Sequence, residues 1–589
     1  MLNDALERLT INQLKSLMHW LPDTSLTGKK DVLIGQILKR LDDDGLRTLW
    51  DRLDDIQRMA VAETAYASDS LFDGKRFRAK YGRLPDFTVS EGGRRHSYSG
   101  RPTALGLFLY YEAGRYRLPF DLRERLRGFV REPLPVRLSP LATLPEKAGE
   151  RRLTVRCNEH DAMIDLPVLL RLIEQGKIQV SDKTSLPNTA TLRLLTDHLT
   201  DGDFDVPPSE QGQRASEIGP IKAFSWPLLL KAAGLVQQNG NKLALSDAGR
   251  KALASVPANV LRAIWSKWLR FTLFDEFSRI DAIKGQKSKG RVMTAVAPRR
   301  SVVNEMLRIC PIGSWINVDD LSRFMEAAGH TFEVTHDPWS LYICEANYGN
   351  LGHSGYHDWS ILQFRYLLCL LFEYAAVLGI IDVAYIEPSG ARHDYRQMWG
   401  TDELEFLSRY DGLTYFRVTP LGAYCLGLND EYVPARVPPS VKLSVLPSLQ
   451  VKIVDGRLSI DESLTLATWA EELTDKSWRL DRQKAVEAIE KGRDIAELRV
   501  YLQTRLDQPL PETVESFIRT TEKRGKALKV LGTALLIDCE NEEIASMIVE
   551  EKATAGLCLR AGKRQLVVKL EHEEKFRNVV RKLGLGVTV

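Results

Sequence analysis

His330, His336, Cys344, His353 and His357 fall within 28 residues of a 589-residue chain, and imidazole and thiolate are side chains that hold Zn²⁺. His353 and His357 stand four apart, a spacing that would put both on one face of a helix. Gly352 and Gly355 argue against a helix there, however, and Cys344 has no cysteine near it. The reading is therefore ordinary loop and core histidines, with no metal and no other cofactor expected. Nucleotide chemistry is no better served. Phosphate transfer by a motor needs GxxxxGK[ST], and Gly28-Lys29-Lys30 lacks the upstream glycine and is followed by Asp31. Gly349, Gly352 and Gly355 lack a strand-to-helix context, and neither GxSxG nor HExxH occurs. No enzyme is expected.

What remains is the chemistry of positive charge. The chain carries 81 Lys and Arg against 78 Asp and Glu, a net of +3, so any nucleic-acid role must come from local clustering. Fourteen Lys or Arg between 75 and 131 face five acids, a local +9, with Phe77, Tyr81, Phe87, Tyr98, Phe108, Tyr110, Tyr111 and Tyr116 interleaved. Within it the loop Ser90-Glu91-Gly92-Gly93-Arg94-Arg95-His96 could follow a sugar-phosphate backbone with Arg94 and Arg95. Most of the aromatics read as core. A second run, Lys284, Lys287, Lys289, Arg291, Arg299 and Arg300, meets no acid. Its glycines and serine suggest a mobile loop, either solvated or on phosphate.

The elements that would position these groups are mostly helical. Leu6, Leu9, Leu14, Leu17 and Leu21 recur at helical spacing, and Leu26-Thr27-Gly28-Lys29-Lys30-Asp31 opens a second helix with Leu33, Ile34, Ile37, Leu38 and Leu41. Proline-rich joints near 140, 210 and 440 divide the chain. Between 160 and 255 the order is an apolar helix ending at Gly176, a strand Lys177 to Val180, a turn, and a helix from Pro187-Asn188-Thr189. A helix at 228–236 and a hairpin about Asn239-Gly240 follow. Lys183 and Thr184 would meet phosphate from the turn, while Asn188 and Arg193 would enter a groove, Asn to adenine and Arg to guanine. The grammar "helix, Gly, apolar pair, strand, strand, Ser/Thr-x-x-Gly" occurs at 228–249 and again at 370–422. It is similar to tandem winged-helix units, which dock on DNA or on protein.

Two further resemblances concern the ends. LTINQLKSLMHWLPDTSLTGKKDVLIGQILKRL, Leu9 to Leu41, resembles a SAP motif, which implies phosphate contact by Lys29 and Lys30 at a helix N-terminus. A plain docking hairpin is the other reading. From 443 onward the order PSLQV, helix, SWRLDRQKAVEAIEKGRDIAELRVYLQTRLDQPLPETVESFI, strand, LLIDCENEEIASMI resembles the N-terminal domain of XPB-type helicases and the bacterial helicase-associated proteins that carry it. That resemblance implies an accessory domain contacting DNA or a motor, without catalysis and without site residues to carry across.

The expected fold is α+β and helix-rich multidomain, with a SAP-like hairpin (1–45), a basic helical domain (46–140), winged-helix units (150–255 and, with helices, 256–435) and a helicase-associated α+β domain (440–589). The expected function is a non-enzymatic DNA-binding scaffold, for duplex or single-stranded DNA, acting with a separate helicase or nuclease in repair or anti-phage defence. The alternative is a docking adaptor that binds no DNA. Seven scattered cysteines (157, 310, 344, 369, 425, 539, 558) without CxxC, a start MLNDALERLT without a leader, and an apolar run (366–381) interrupted by Glu373 suggest a reduced, cytoplasmic chain that crosses no membrane.

Overall fold

The structure is a computed structural model, and it describes residues 1–89, 101–204, 219–287, 292–353, 359–433, 441–456, 458, 460–474, 476–530 and 532–588. The chain is mixed α and β and rich in helix, and its strand ladders among the described residues are antiparallel. No described helix is long and apolar enough to cross a membrane. The joints expected at 206–212 and 434–439 lie outside the described residues. Two compact units result, Met1–Pro438 and Pro439–Val589.

The first 45 residues hold three helices rather than two. Thr10 caps a new helix, Ile11–Met18, and closes a capping box with Gln13, so the leucine run breaks after Leu2–Glu7. A third helix spans Lys30–Arg40. One buried core runs continuously from Leu2 to Val130, taking in Leu14, Leu33, Leu49, Val61, Phe108 and Leu122. Residues 1–45 therefore share their core with the basic segment that follows.

The first unit contains one order of elements three times: helix, a short strand or single β-bridge, helix, helix or helical turn, hairpin, helix. Each time that strand or bridge pairs antiparallel with the second strand of the hairpin. In the middle copy these are the helices Asn158–Glu174, Thr189–His198 and Lys222–Ala232, the hairpin Val236–Asn239 and Lys242–Leu245, and the helix Asp247–Leu253, with Gln179 bridged to Lys242. In the last copy Val296–Ile309, Ile316–Asn317, Val318–Ala328 and Gln363–Cys369, continued by a π-helical turn, precede the strands Ile381–Tyr385 and Leu413–Val418 and the helix Pro420–Cys425; Ile316 faces Phe416. The first copy, missed in the sequence, runs from the helix Asp55–Tyr66 through Gly74–Tyr81 and a 3₁₀ turn Ala104–Leu107 to the hairpin Tyr110–Glu112 and Arg115–Arg117, with Leu71 bridged to Arg117.

The junction read twice in the sequence has one atomic plan. Gly234 and Gly379 both end a helix at φ +69°, a conformation that favours glycine. Ser246 donates to Gly234 O at 2.7 Å and accepts from Gly249 N at 3.1 Å; Thr419 donates to Gly379 O at 2.6 Å and accepts from Gly422 N at 2.8 Å. A Cβ on Gly249 would lie 2.1 Å from Leu235 O, and one on Gly422 2.0 Å from Ile380 O. Each "Ser/Thr-x-x-Gly" thus caps a helix and lets it touch the residue that leads into the first strand of the hairpin. The two hairpins differ in burial. Every residue of Ile381–Tyr385 is buried, central in a four-stranded sheet with Thr154–Arg156 on one side and Leu413–Val418 and Ile316–Asn317 on the other, so the strands of the last copy's hairpin belong to the core.

The second unit has two cores. The first packs the sheet of Lys442–Val445, Gln450–Asp455, Ser477–Leu480 and Ala470–Thr474 against helices through Leu498 and Phe517. The helix expected at 464–473 is Ile460–Trp469, and the chain then turns to strand at Ala470. The second core lies under the three strands Ala534–Asp538, Gln565–Lys569 and Cys558–Arg560, covered on one face by Glu542–Glu550 and Glu573–Lys582. Its first strand begins at Ala534, four residues later than the apolar run suggests.

Candidate nucleic-acid interface

The middle copy presents the clearest cationic surface. Leu243 and Leu245 of its hairpin are buried, so the alternation of a strand turns Lys242 outward. Gln179 lies directly opposite Lys242 and Asn239 flanks it on the other side. Val180 N donates to Asn241 O at 2.9 Å and Leu243 N to Ile178 O at 3.1 Å, which fastens the 177–188 segment to the hairpin. Ser185 Oγ donates to Gln238 Oε1 at 2.5 Å and fixes the intervening turn. Lys177, Lys183, Arg193 and Lys242 are exposed around this frame, and none has an ion-pair partner among the described residues. Two exposed acids, Asp182 and Asp197, share the surface. Arg193 does not pair with Asp197, although the two stand one helical turn apart. Thr184 is exposed in the turn, its hydroxyl 3.4 Å from Leu186 N.

Asn188 has a different duty. Its Oδ1 accepts from Thr191 N at 2.8 Å, capping Thr189–His198, and its Nδ2 donates to Gln179 Oε1 at 3.2 Å. The carboxamide is spent on the helix start, and pairing with adenine would cost that cap. The helix directly before the hairpin, Lys222–Ala232, is buried at every position from Lys222 to Leu230. Asp203 accepts from Ile221 N, Lys222 N and Ala223 N at 2.9 Å, closing its N-terminus. Lys222 in turn lies 3.1 Å from Asp165 and 3.8 Å from Asp161. Burial pushes the Asp161 carboxyl up to about 6 against the pull of Lys222. Of the two helices between the 177–188 segment and the hairpin, Thr189–His198 therefore offers the exposed face, with Thr189, Ala190 and Arg193 upon it.

Arg299 and Arg300 leave the candidate set. They belong to Val296–Ile309 and not to a loop, and are 1% and 0% exposed. Arg299 holds Asp275 at 2.7 and 2.9 Å; Arg300 holds Glu276 at 2.5 Å and the carbonyls of Trp268, Phe271 and Phe274. The absence of acids within 284–300 misled, because the partners precede the run in sequence. Lys287 is exposed, while Lys289 and Arg291 lie outside the described residues.

The +9 segment is also largely engaged. Arg76 donates to Ala327 O at 3.3 Å, Arg123 and Arg127 each to Ala65 O at 2.9 Å, Lys80 to Glu63 and Leu134 O at 2.6 Å, and Arg125 to Asp43 at 2.8 Å. Lys75, Arg83, Arg115 and Arg131 remain exposed without an ion-pair partner among the described residues. Arg94 and Arg95 lie outside those residues. Lys29 is exposed as the N-cap of Lys30–Arg40 and makes no side-chain cap bond, and Lys30 Nζ donates to Glu7 O. Of the histidine group, His330 stacks on Phe324 and His353 packs edge-on to Trp339, while Cys344 donates to Gly400 O. His357 is outside the described residues, among which no group of three or more His, Cys, Asp or Glu is placed to hold a metal.

Reasoning from sequence missed Lys177 and Lys242 as members of the surface. The signal was present as alternation: two outward lysines flank buried Ile178 and Leu243. No protein-family model matches the chain, and none of the curated proteins matches it.

Proposed function

We propose that this protein is a DNA-binding accessory scaffold without catalysis of its own, whose first unit repeats a winged-helix plan and whose second is a helicase-associated domain. The observation that carries the reading is the cluster of Lys177, Lys183, Arg193 and Lys242 around an amide-rich hairpin, exposed and free of ion pairs among the described residues. Four cations on a rigid frame suit phosphate contacts, which position a protein without reading sequence. With Asn188 committed as a cap and Lys222–Ala232 buried, backbone contact is favoured over base readout. A separate helicase or nuclease would supply the chemistry, and the XPB-type resemblance of the second unit points to such a motor. A docking adaptor is the second reading, and a specific observation favours it: the repeats use helices on one another, Gly74–Tyr81 packing on Val318–Ala328 through Arg76. Salt titration separates the two. Phosphate contacts make affinity for a DNA duplex fall steeply with salt, and Lys183→Glu with Lys242→Glu should flatten that slope.

A further inference from the structure

Beyond the cationic surface, the last repeat carries a second exposed patch of opposite character. The exposed large aromatics of the described residues are Tyr111, Phe120, Trp339, Tyr348 and Trp399. Three of the five lie on two neighbouring loops, 337–353 and 394–405. Tyr348 and Trp399 are 64% and 51% exposed, with ring centroids 5.1 Å apart and planes 37° apart. Cys344 Sγ donates to Gly400 O at 2.9 Å and joins the two loops beside the pair. Ile343 N donates to Gly349 O at 3.0 Å and Leu351 N to Leu341 O at 2.8 Å, so the first loop is a tight hairpin with Tyr348 near its tip. The close turn needs Gly349, where a Cβ would lie 1.8 Å from Ile343 O. Trp339 lies at the base of the hairpin on Gly352, where a Cβ would enter its ring. The rings are thus held outward by a built loop and face water at an unfavourable exposure.

The two loops themselves are negative: they contain Asp337, Glu345, Asp394, Asp402, Glu403 and Glu405 against Arg396 alone, a net of −5 in a chain of +3, while exposed Lys284 lies opposite Tyr342 at the foot of the hairpin. Asp394 is bound to Arg365, but Asp402, Glu403 and Glu405 have no ion-pair partner among the described residues and stand three to six residues after Trp399. A phosphate backbone is repelled by such a rim. A cation is attracted twice, by the carboxylates and by the faces of the rings.

We propose that the Tyr348–Trp399 patch is a docking site for an arginine- or lysine-rich segment of a partner protein, its cationic side chains lying on the rings and against Asp402 and Glu403. The test is fluorescence anisotropy of a labelled oligo-arginine peptide with the full chain at low salt. Trp399→Ala should weaken binding roughly five- to thirtyfold, the effect of losing one partly desolvated cation–π contact. Glu403→Gln with Asp402→Asn should weaken it and lessen its salt dependence. Lys183→Glu, at the proposed DNA surface, should leave peptide affinity no weaker, so failure of either site is seen separately. Trp399 is half exposed, and an unchanged melting temperature for Trp399→Ala would show that lost binding is local. Equal affinity of wild type and Trp399→Ala, or no binding of the peptide, would overturn the proposal. So would loss of single-stranded oligothymidylate binding in Trp399→Ala, which would make the pair a base-stacking platform.

Discussion

Replacing Arg300 by methionine separates a structural arginine from a phosphate contact. Its guanidinium is fully buried, pairs with the equally buried Glu276 and donates to three carbonyls that cap the chain at 268, 271 and 274. Arg300→Met leaves Glu276 without its countercharge, and burial already pushes that carboxyl up. Breaking a buried pair from one side costs about 3–5 kcal/mol, because the remaining charge is uncompensated. With an unfolding entropy of ~2 cal/mol/K per residue over the unit Met1–Pro438, that corresponds to a drop in Tm of about 3–5 °C if the unit melts as one. The assay is thermal denaturation followed by circular dichroism, with Arg300→Met/Glu276→Leu as the companion. Removing both charges should recover much of the loss, since a well-packed apolar pair is often neutral in place of an ion pair. A variant that melts like the wild type yet binds DNA more weakly would refute the reasoning and return Arg300 to the surface.

Asn188→Ala should destabilise by about 1 kcal/mol through the lost cap, read as a shift in urea midpoint, and should leave sequence preference on DNA unaltered; Asn188→Ser should recover most of the loss. Asp161→Asn tests the buried cluster around Lys222 by pH. The folded carboxyl titrates near 6 and the unfolded one near 3.8, so the fold binds this proton more tightly, and the stabilisation present below about pH 4 is lost as pH rises to about 6. Denaturation of Asp161→Asn should show a flatter dependence across that window than the wild type, and a parallel curve would count against the assignment.

The sequence was most legible where a rule of backbone geometry fixes residue type. Gly234 and Gly379 end helices in the left-handed region, and Ser246 and Thr419 cap the next ones three residues before an obligatory glycine, so two copies of the plan could be read at once. The first copy escaped because its third helix shrinks to Ala104–Leu107 and its hairpin strands to three residues each. Burial was harder to read than element type. The hairpin at 381–418 has the same grammar as that at 236–245, yet Thr154–Arg156 and Ile316–Asn317 flank it and make it core. Arg299 and Arg300 resembled solvated charge because Asp275 and Glu276 are remote in sequence. Asn188 was read for its hydrogen-bonding edge, and the fold uses that edge to begin a helix.

The most direct measurement is the affinity for a DNA duplex of unrelated sequences as a function of salt, for the wild type and for Lys177→Glu/Lys183→Glu/Lys242→Glu. These side chains are exposed and hold nothing in place, so the triple variant should melt within about 1 kcal/mol of the wild type. Three phosphate contacts contribute roughly 0.9 each to the slope of log affinity against log salt. Affinity should fall at least tenfold at low salt, alike for every sequence, with the slope reduced by about 2–3. Equal affinity and slope in the two proteins, or no duplex binding by the wild type at low salt, would contradict the DNA-binding reading.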